Sequence, residues 1–129
     1  MKGYSYNGTV APSKTTFYGL YGRSADFDDA PLFNLVLRFA EGRSQLNLTT
    51  PFNFVTTDDI IGGNSGSPVI NGKGEIVGLI FDGNIESLVG DYVYDIETNR
   101  AVAVHTAGML EALEEAIRRP PLLDELTAQ

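Results

Sequence analysis

The sequence predicts a mainly β fold, an antiparallel barrel or sandwich closed by one C-terminal α-helix. Three observations predict it. Short β-branched and aromatic runs recur at close spacing between Tyr4 and Val104, separated by glycine, proline and aspartate. Two of these runs, Ser67–Ile70 and Glu75–Phe81, flank Asn71-Gly72-Lys73-Gly74, whose residues accept positive φ and close a hairpin. Late in the chain the apolar period lengthens, with Met109, Leu110, Leu113 and Ile117 on one helical face and Glu111, Glu114, Glu115 and Arg118 elsewhere.

In chain order, Lys2–Val10 reads as an extended strand, Ala11-Pro12-Ser13 as a turn, and Thr15–Tyr21 as a second strand. Ser24–Pro31 carries Asp26, Asp28 and Asp29 and reads as a solvated loop, because the glycine and terminal glutamate of a calcium loop are missing. Leu32–Ala40 fits a short helix or buried irregular chain, and Leu46–Thr49 alternates like a short strand. Phe52–Val55 and Ile76–Phe81 read as strands, and Tyr92–Tyr94 with Ala101–Val104 is expected to form a last strand pair. Thr106 is a candidate N-cap, Pro120-Pro121 is expected to stop the helix, and Leu122–Leu126 to add one turn.

The 129 residues fit one domain, 43% hydrophobic and 20% charged, with a net charge of −8. Without a basic cluster, nucleic acid is not an expected partner. No cysteine and one histidine argue against a structural metal, so neither metal nor cofactor is expected. The chain shows no signal peptide and no long apolar run, so no membrane partner is expected.

The chemistry is concentrated in Gly62-Gly63-Asn64-Ser65-Gly66-Ser67-Pro68-Val69, between two predicted strands. Glycines let the backbone turn tightly and leave N–H groups facing outward. Ser65 on such a bend has the geometry of a nucleophile flanked by oxyanion donors. A strand-to-helix nucleophile elbow is disfavoured, because Pro68-Val69-Ile70 followed by Asn71-Gly72 reads as strand and hairpin.

This string resembles the serine loop of chymotrypsin-like peptidases, and the resemblance makes Ser65 the nucleophile and the amides of Gly63 and Ser65 the oxyanion hole. Further residues narrow it. Asn71–Glu75, Gly78–Asn84, Glu86, Gly90-Asp91, Leu122–Leu126 and Gly3-Tyr4-Ser5 together look like the bacterial dipeptidyl-peptidase 7 and 11 family. That resemblance implies the second barrel of a chymotrypsin-like double barrel, a periplasmic or secreted parent enzyme, and release of dipeptides from free peptide N-termini. It assigns Asp82 to binding the substrate α-ammonium. Gly83 stands where members that prefer acidic side chains carry Arg, which implies a roomier, uncharged pocket. Read alone, Asp82 is an aspartate capping the turn after a strand. Asp59, six residues before Ser65, stands where trypsin-like enzymes keep their specificity acid, but acid there also occurs in the exopeptidases.

A serine peptidase needs a general base and an acid that orients it. In chymotrypsin-like enzymes both precede the serine, on the other barrel. His105 lies forty residues after Ser65, at a predicted strand end, and reads as structural. The chain is therefore expected to be a C-terminal, serine-bearing half-domain, inactive without the N-terminal barrel of the same enzyme. An uncovered apolar surface leads us to expect a homo-oligomer. The alternatives are a fragment of a chymotrypsin-like endopeptidase, or a non-catalytic module that retains the fold.

Overall fold

The computed structural model describes residues 2–90 and 92–128, so Asp91, quoted in the resemblance, lies outside the described residues. The chain forms two compact units, Met1–Thr15 with Asn53–Thr106, and Thr16–Phe52 with Ala107–Gln129.

The first unit holds the sheets. A hairpin joins β1 (Tyr4–Tyr6) to β2 (Thr9–Ala11), with Ser5 opposite Val10. Asn7 and Gly8 close it at φ of 48° and 76°, a pair suited to this tight turn. The single strand expected over Lys2–Val10 is thus a hairpin. The larger sheet has five strands in the order β3-β4-β7-β6-β5, with β3 (Lys14–Thr16), β4 (Pro51–Thr56), β5 (Pro68–Ile70), β6 (Ile76–Gly83) and β7 (Ala101–His105). Strand β7 lies antiparallel between β4 and β6, pairing Phe54 with Ala103 and Ile80 with Ala103 on its two sides.

Antiparallel sheets with helices are as expected, but the closed barrel is not observed. The sheet is open, with β3 and β5 as its edges. Two segments read as strands are otherwise occupied: Thr15–Tyr21 turns helical at Phe17, and Tyr92–Tyr94 joins no strand. That leaves too few strands, several of only three residues, to close the curve.

Phe54, Ile80, Ala101 and Ala103 are the buried core of this unit, with Ile60, Val69 and Val77 packed against them. Small alanines on the central strand leave room for the side chain of Phe54, which pairs with Ala103. Gly78 is required for the same reason: a Cβ there would meet the Phe54 ring and the Val104 carbonyl oxygen, both at 2.5 Å.

Arg100 is 1% exposed and donates to five main-chain carbonyls, of Lys2 (3.2 Å), Gly3 (3.3 Å), Ile96 (2.9 Å), Glu97 (3.2 Å) and Asn99 (2.6 Å). Its own backbone pairs with buried Asn84, whose Oδ1 accepts from Arg100 N at 2.8 Å and whose N–H donates to Arg100 O at 3.0 Å. The Asn84 amide also donates to Glu86 Oε2 and Thr98 O, both at 2.7 Å. The segment after β6 is therefore fixed by polar contacts, because it supplies no buried apolar side chain.

In the second unit, α1 (Phe17–Asp26) replaces the predicted strand. Its buried residues Phe17, Tyr21 and Ser24 stand at i, i+4 and i+7, a helical stripe that overrides the β-prone Thr-Thr-Phe-Tyr composition. Phe17, Tyr21, Leu46 and Ala112 form the core, and the Phe17 ring lies 5.1 Å from that of Phe52. Tyr21 donates to the Phe39 carbonyl at 2.5 Å; burial raises its hydroxyl pKa while the Arg43 guanidinium opposes the rise. Leu37–Gly42 forms α2, and Leu46–Thr49 is a turn in which Asn47 Oδ1 accepts from Thr49 N and Oγ1.

The terminal helix starts at Thr106 as expected, in α3 (Thr106–Glu111), but the Thr106 hydroxyl donates to Val77 O at 3.2 Å rather than capping the helix. The helix widens into a π-turn over Ala112–Ala116 and ends before the prolines. Pro120 and Pro121 instead open α4 (Pro120–Thr127), where a first-turn proline loses no hydrogen bond. Among the described residues no helix is long and apolar enough to cross a membrane.

Candidate active site

The Gly-rich string lies between β4 and β5 as a loop, with no helix after it. Gly63 and Gly66 adopt φ of 100° and 89°, values that a side chain disfavours. Asn64 sets the bend: its Oδ1 accepts from Ile61 N at 2.9 Å, and its carbonyl accepts from Ser67 N at 2.9 Å. Gly66 N donates to Ile80 O at 2.8 Å and Ile80 N donates to Ser67 O at 2.9 Å, which staples the loop onto β6.

Between these anchors, the N–H groups of Gly62, Gly63 and Ser65 make no hydrogen bond among the described residues. Ser65 is exposed, and its hydroxyl makes only a long 3.5 Å contact to Phe81 O. An accessible hydroxyl beside unengaged backbone donors suits stabilisation of an oxyanion formed at that serine.

A cavity of about 260 Å³ opens here, lined by Gly62–Ser65 on one side and by Phe81, Asp82, Gly83, Ser87 and Leu88 on another. It brings together every sequence-predicted site residue: Gly63, Ser65, Asp82 and Gly83. Strict alternation along β6 would turn Phe81 and Asp82 to opposite faces. The register shifts between Ile80 and Asp82, so Ile80 pairs with Ala103 and Asp82 with Val102. This bulge lets both neighbours reach the cavity. Asp82 also accepts from Gly83 N at 2.8 Å, the turn-capping contact expected of an aspartate there.

Asp59 does not line the cavity, whereas its neighbours Ile60 and Ile61 do. His105 does not line it either. It sits at the end of β7 opposite Gly78, its ring edge-on to Phe54 at 5.3 Å. Burial, and secondarily the charge of Lys14, holds its pKa below the usual 6.5. Sequence reasoning missed the wall residues Ile60, Ile61, Ser87 and Leu88. Ser87 and Leu88 belong to the 3-10 turn Ile85–Val89, which has no periodic signal to announce it. Among the described residues no cluster of His, Cys, Asp or Glu is arranged to hold a metal ion.

The cavity thus brings an exposed serine hydroxyl, unengaged backbone N–H groups and a carboxylate into one wall system. The chain itself belongs to the Peptidase S46 family, whose description matches residues 1–128. Dipeptidyl-peptidase 7 of Capnocytophaga gingivalis is 46% identical over 74 residues, 57% of this chain and 10% of that relative. Dipeptidyl-peptidase 7 of Phocaeicola vulgatus is 49% identical over 77 residues, 60% of this chain and 11% of the relative. The Asp/Glu-specific dipeptidyl-peptidase of Shewanella putrefaciens is 41% identical over 78 residues, again 60% and 11%. A crystal structure of Porphyromonas endodontalis DPP11 superposes with a TM-score of 0.85 at 28% identity, covering 99% of this chain and 19% of that one. The same protein in complex with the dipeptide Arg-Asp gives 0.83 at 25% identity, covering 99% and 19%. The chain thus spans only 10% to 11% of the length of these curated relatives.

Proposed function

We propose that this chain is the serine-bearing C-terminal part of a dipeptidyl aminopeptidase that releases N-terminal dipeptides through an acyl-enzyme. The observation that carries the reading is the common cavity, in which an exposed Ser65 hydroxyl, unengaged amides and the Asp82 carboxylate share one wall system. Ser65 Oγ attacks the carbonyl carbon of the second peptide bond. The oxyanion accepts from the Gly63 and Ser65 N–H groups, the amine of the shortened peptide leaves, and water hydrolyses the ester. Asp82 pairs with the substrate α-ammonium, which limits the acyl part to two residues. Gly83 places no charged side chain beside the residue before the cut, which favours an apolar side chain there.

The serine proton needs an imidazole, and His105 stands outside the cavity wall. The base and its orienting acid come from an N-terminal barrel of the same enzyme, and the parent enzyme is periplasmic or secreted. Exposed apolar side chains on the β5–β6 hairpin, Ile70 and Ile76, support self-association of the isolated chain. Light scattering that finds only monomer at high concentration would remove that part.

The test is direct. Incubated with dipeptidyl chromogenic substrates, the 129-residue chain gives no turnover above its Ser65→Ala variant. Turnover by the chain alone would place the base within it and overturn this division of labour.

A further inference from the structure

Position 83 forms part of the cavity wall beside Ser65, and its lack of a side chain is not a backbone requirement. Gly83 is outside the left-handed region, so its conformation would accept any residue. What excludes a side chain is Ser87. A Cβ on Gly83 would lie 2.2 Å from Ser87 Oγ and 3.3 Å from Ser87 Cβ.

The hydroxyl is not free to swing away without loss. Ser87 Oγ donates to Asn84 O at 2.6 Å, and Ser87 N donates to the same oxygen at 3.0 Å. Asn84 is itself buried and locked by Arg100 and Thr98, as described above. The 3-10 turn thus presses a tethered hydroxyl into the space that a residue at 83 would need.

We propose that Ser87 is a positioning residue that reserves position 83 for glycine and thereby keeps a cationic side chain out of the pocket beside Ser65. The effect on the pocket rests on the proposed peptidase function; the pairing of 83 with 87 does not. Selectivity is then set by two positions acting together, not by position 83 alone. A charged side chain enters the wall only when residue 87 gives way.

A double-mutant cycle read by thermal unfolding of the 129-residue chain tests the pairing. Gly83→Ala lowers Tm by on the order of 5 °C beside Ser87, and by about 1 °C or less in the Ser87→Gly background. Failure of Gly83→Ala to fold, with rescue by Ser87→Gly, supports the pairing equally. An equal loss in both backgrounds, or no rescue, overturns it.

The effect on the pocket is read from specificity in the chain assembled with its base-bearing barrel. Gly83→Arg with Ser87→Gly raises the kcat/KM ratio of Asp over Leu before the cut by at least about tenfold, because a guanidinium then faces the side chain. Gly83→Arg alone does not raise it. If Gly83→Arg alone changes the ratio as much, the role of Ser87 is refuted. If no assembled variant, including the parent, hydrolyses dipeptidyl substrates, the proposed function falls and takes the effect on the pocket with it, while the melting cycle still decides the pairing.

Discussion

Replacing Arg100 by Met is the most informative perturbation of the fold around the site. The guanidinium is 1% exposed and faces five carbonyl oxygens, with no carboxylate among them. Hydrogen bonds to charged groups contribute about 1.5–3 kcal/mol each. A simple sum over five would reach roughly 7–15 kcal/mol, comparable with the whole stability of a domain. That sum overshoots. Three of the five bonds are long, at 3.2–3.3 Å, and the carbonyls of Lys2 and Gly3 regain water when released. Removing the buried guanidinium also cancels its desolvation cost. The shortest bond, to Asn99 O at 2.6 Å, is the one most shielded from water, because Asn99 is only 3% exposed. A net loss of about 3–5 kcal/mol follows, the usual cost of stranding one side of a buried polar cluster. Urea unfolding measures it: with a slope of about 2 kcal/mol/M, the midpoint falls by roughly 1.5–2.5 M at unchanged slope. Arg100→Lys recovers less than half, because an ammonium cannot span five acceptors in a plane. A loss below about 1 kcal/mol for Arg100→Met would refute the reasoning, since the carbonyls would then be satisfied without it.

Other sites in the chain give measurable outcomes as well. Gly78→Ala costs about 1–3 kcal/mol by chemical denaturation, because one obstacle is a neighbouring strand's carbonyl at 2.5 Å and cannot rotate away. Ser65→Ala changes stability by no more than about 0.5 kcal/mol, since the hydroxyl is exposed and its one contact is long; a larger loss would mean the serine is structural. His105 has a folded pKa below its usual 6.5, so its neutral form is favoured in the native state and the unfolded chain binds the proton first on acidification. Its contribution is fully present above about pH 6.5 and is lost as pH falls from there through the lowered folded value. A His105→Gln variant therefore loses less stability than the parent between pH 7 and pH 5 in paired melts, and identical pH profiles would contradict this.

Much of the site was legible in the sequence, and the reasons are local. The string Gly62–Val69 needs positive φ at Gly63 and Gly66, and only glycine meets that need cheaply, so its composition announces its shape. The β5–β6 hairpin announces itself through Asn71-Gly72-Lys73-Gly74 in the same way. Where burial outweighs composition, the reading failed. Thr15–Tyr21 is β-prone residue by residue, yet Phe17, Tyr21 and Ser24 share one buried helical stripe, and tertiary packing decided it. With that strand cut short at Thr16 and none formed at Tyr92–Tyr94, barrel closure is lost as well. The helix does end before Pro120 and Pro121, and the same prolines open the next one, α4. The bulge at Phe81, which brings Asp82 into the cavity, depends on pairing with a strand some twenty residues away and leaves no trace in local sequence.

The central claim is that Ser65 is the nucleophile of a dipeptidyl aminopeptidase completed by another segment of the same enzyme. One comparison tests it most directly: dipeptide release, followed by mass spectrometry, from a peptide with a free N-terminus and from its N-acetylated twin. The assays use this chain assembled with a barrel that carries the His and Asp, with Ser65 intact or replaced by Ala. The account predicts dipeptide release from the free peptide only, abolished by Ser65→Ala. Release that survives Ser65→Ala, or internal cleavage of the acetylated peptide, would contradict it.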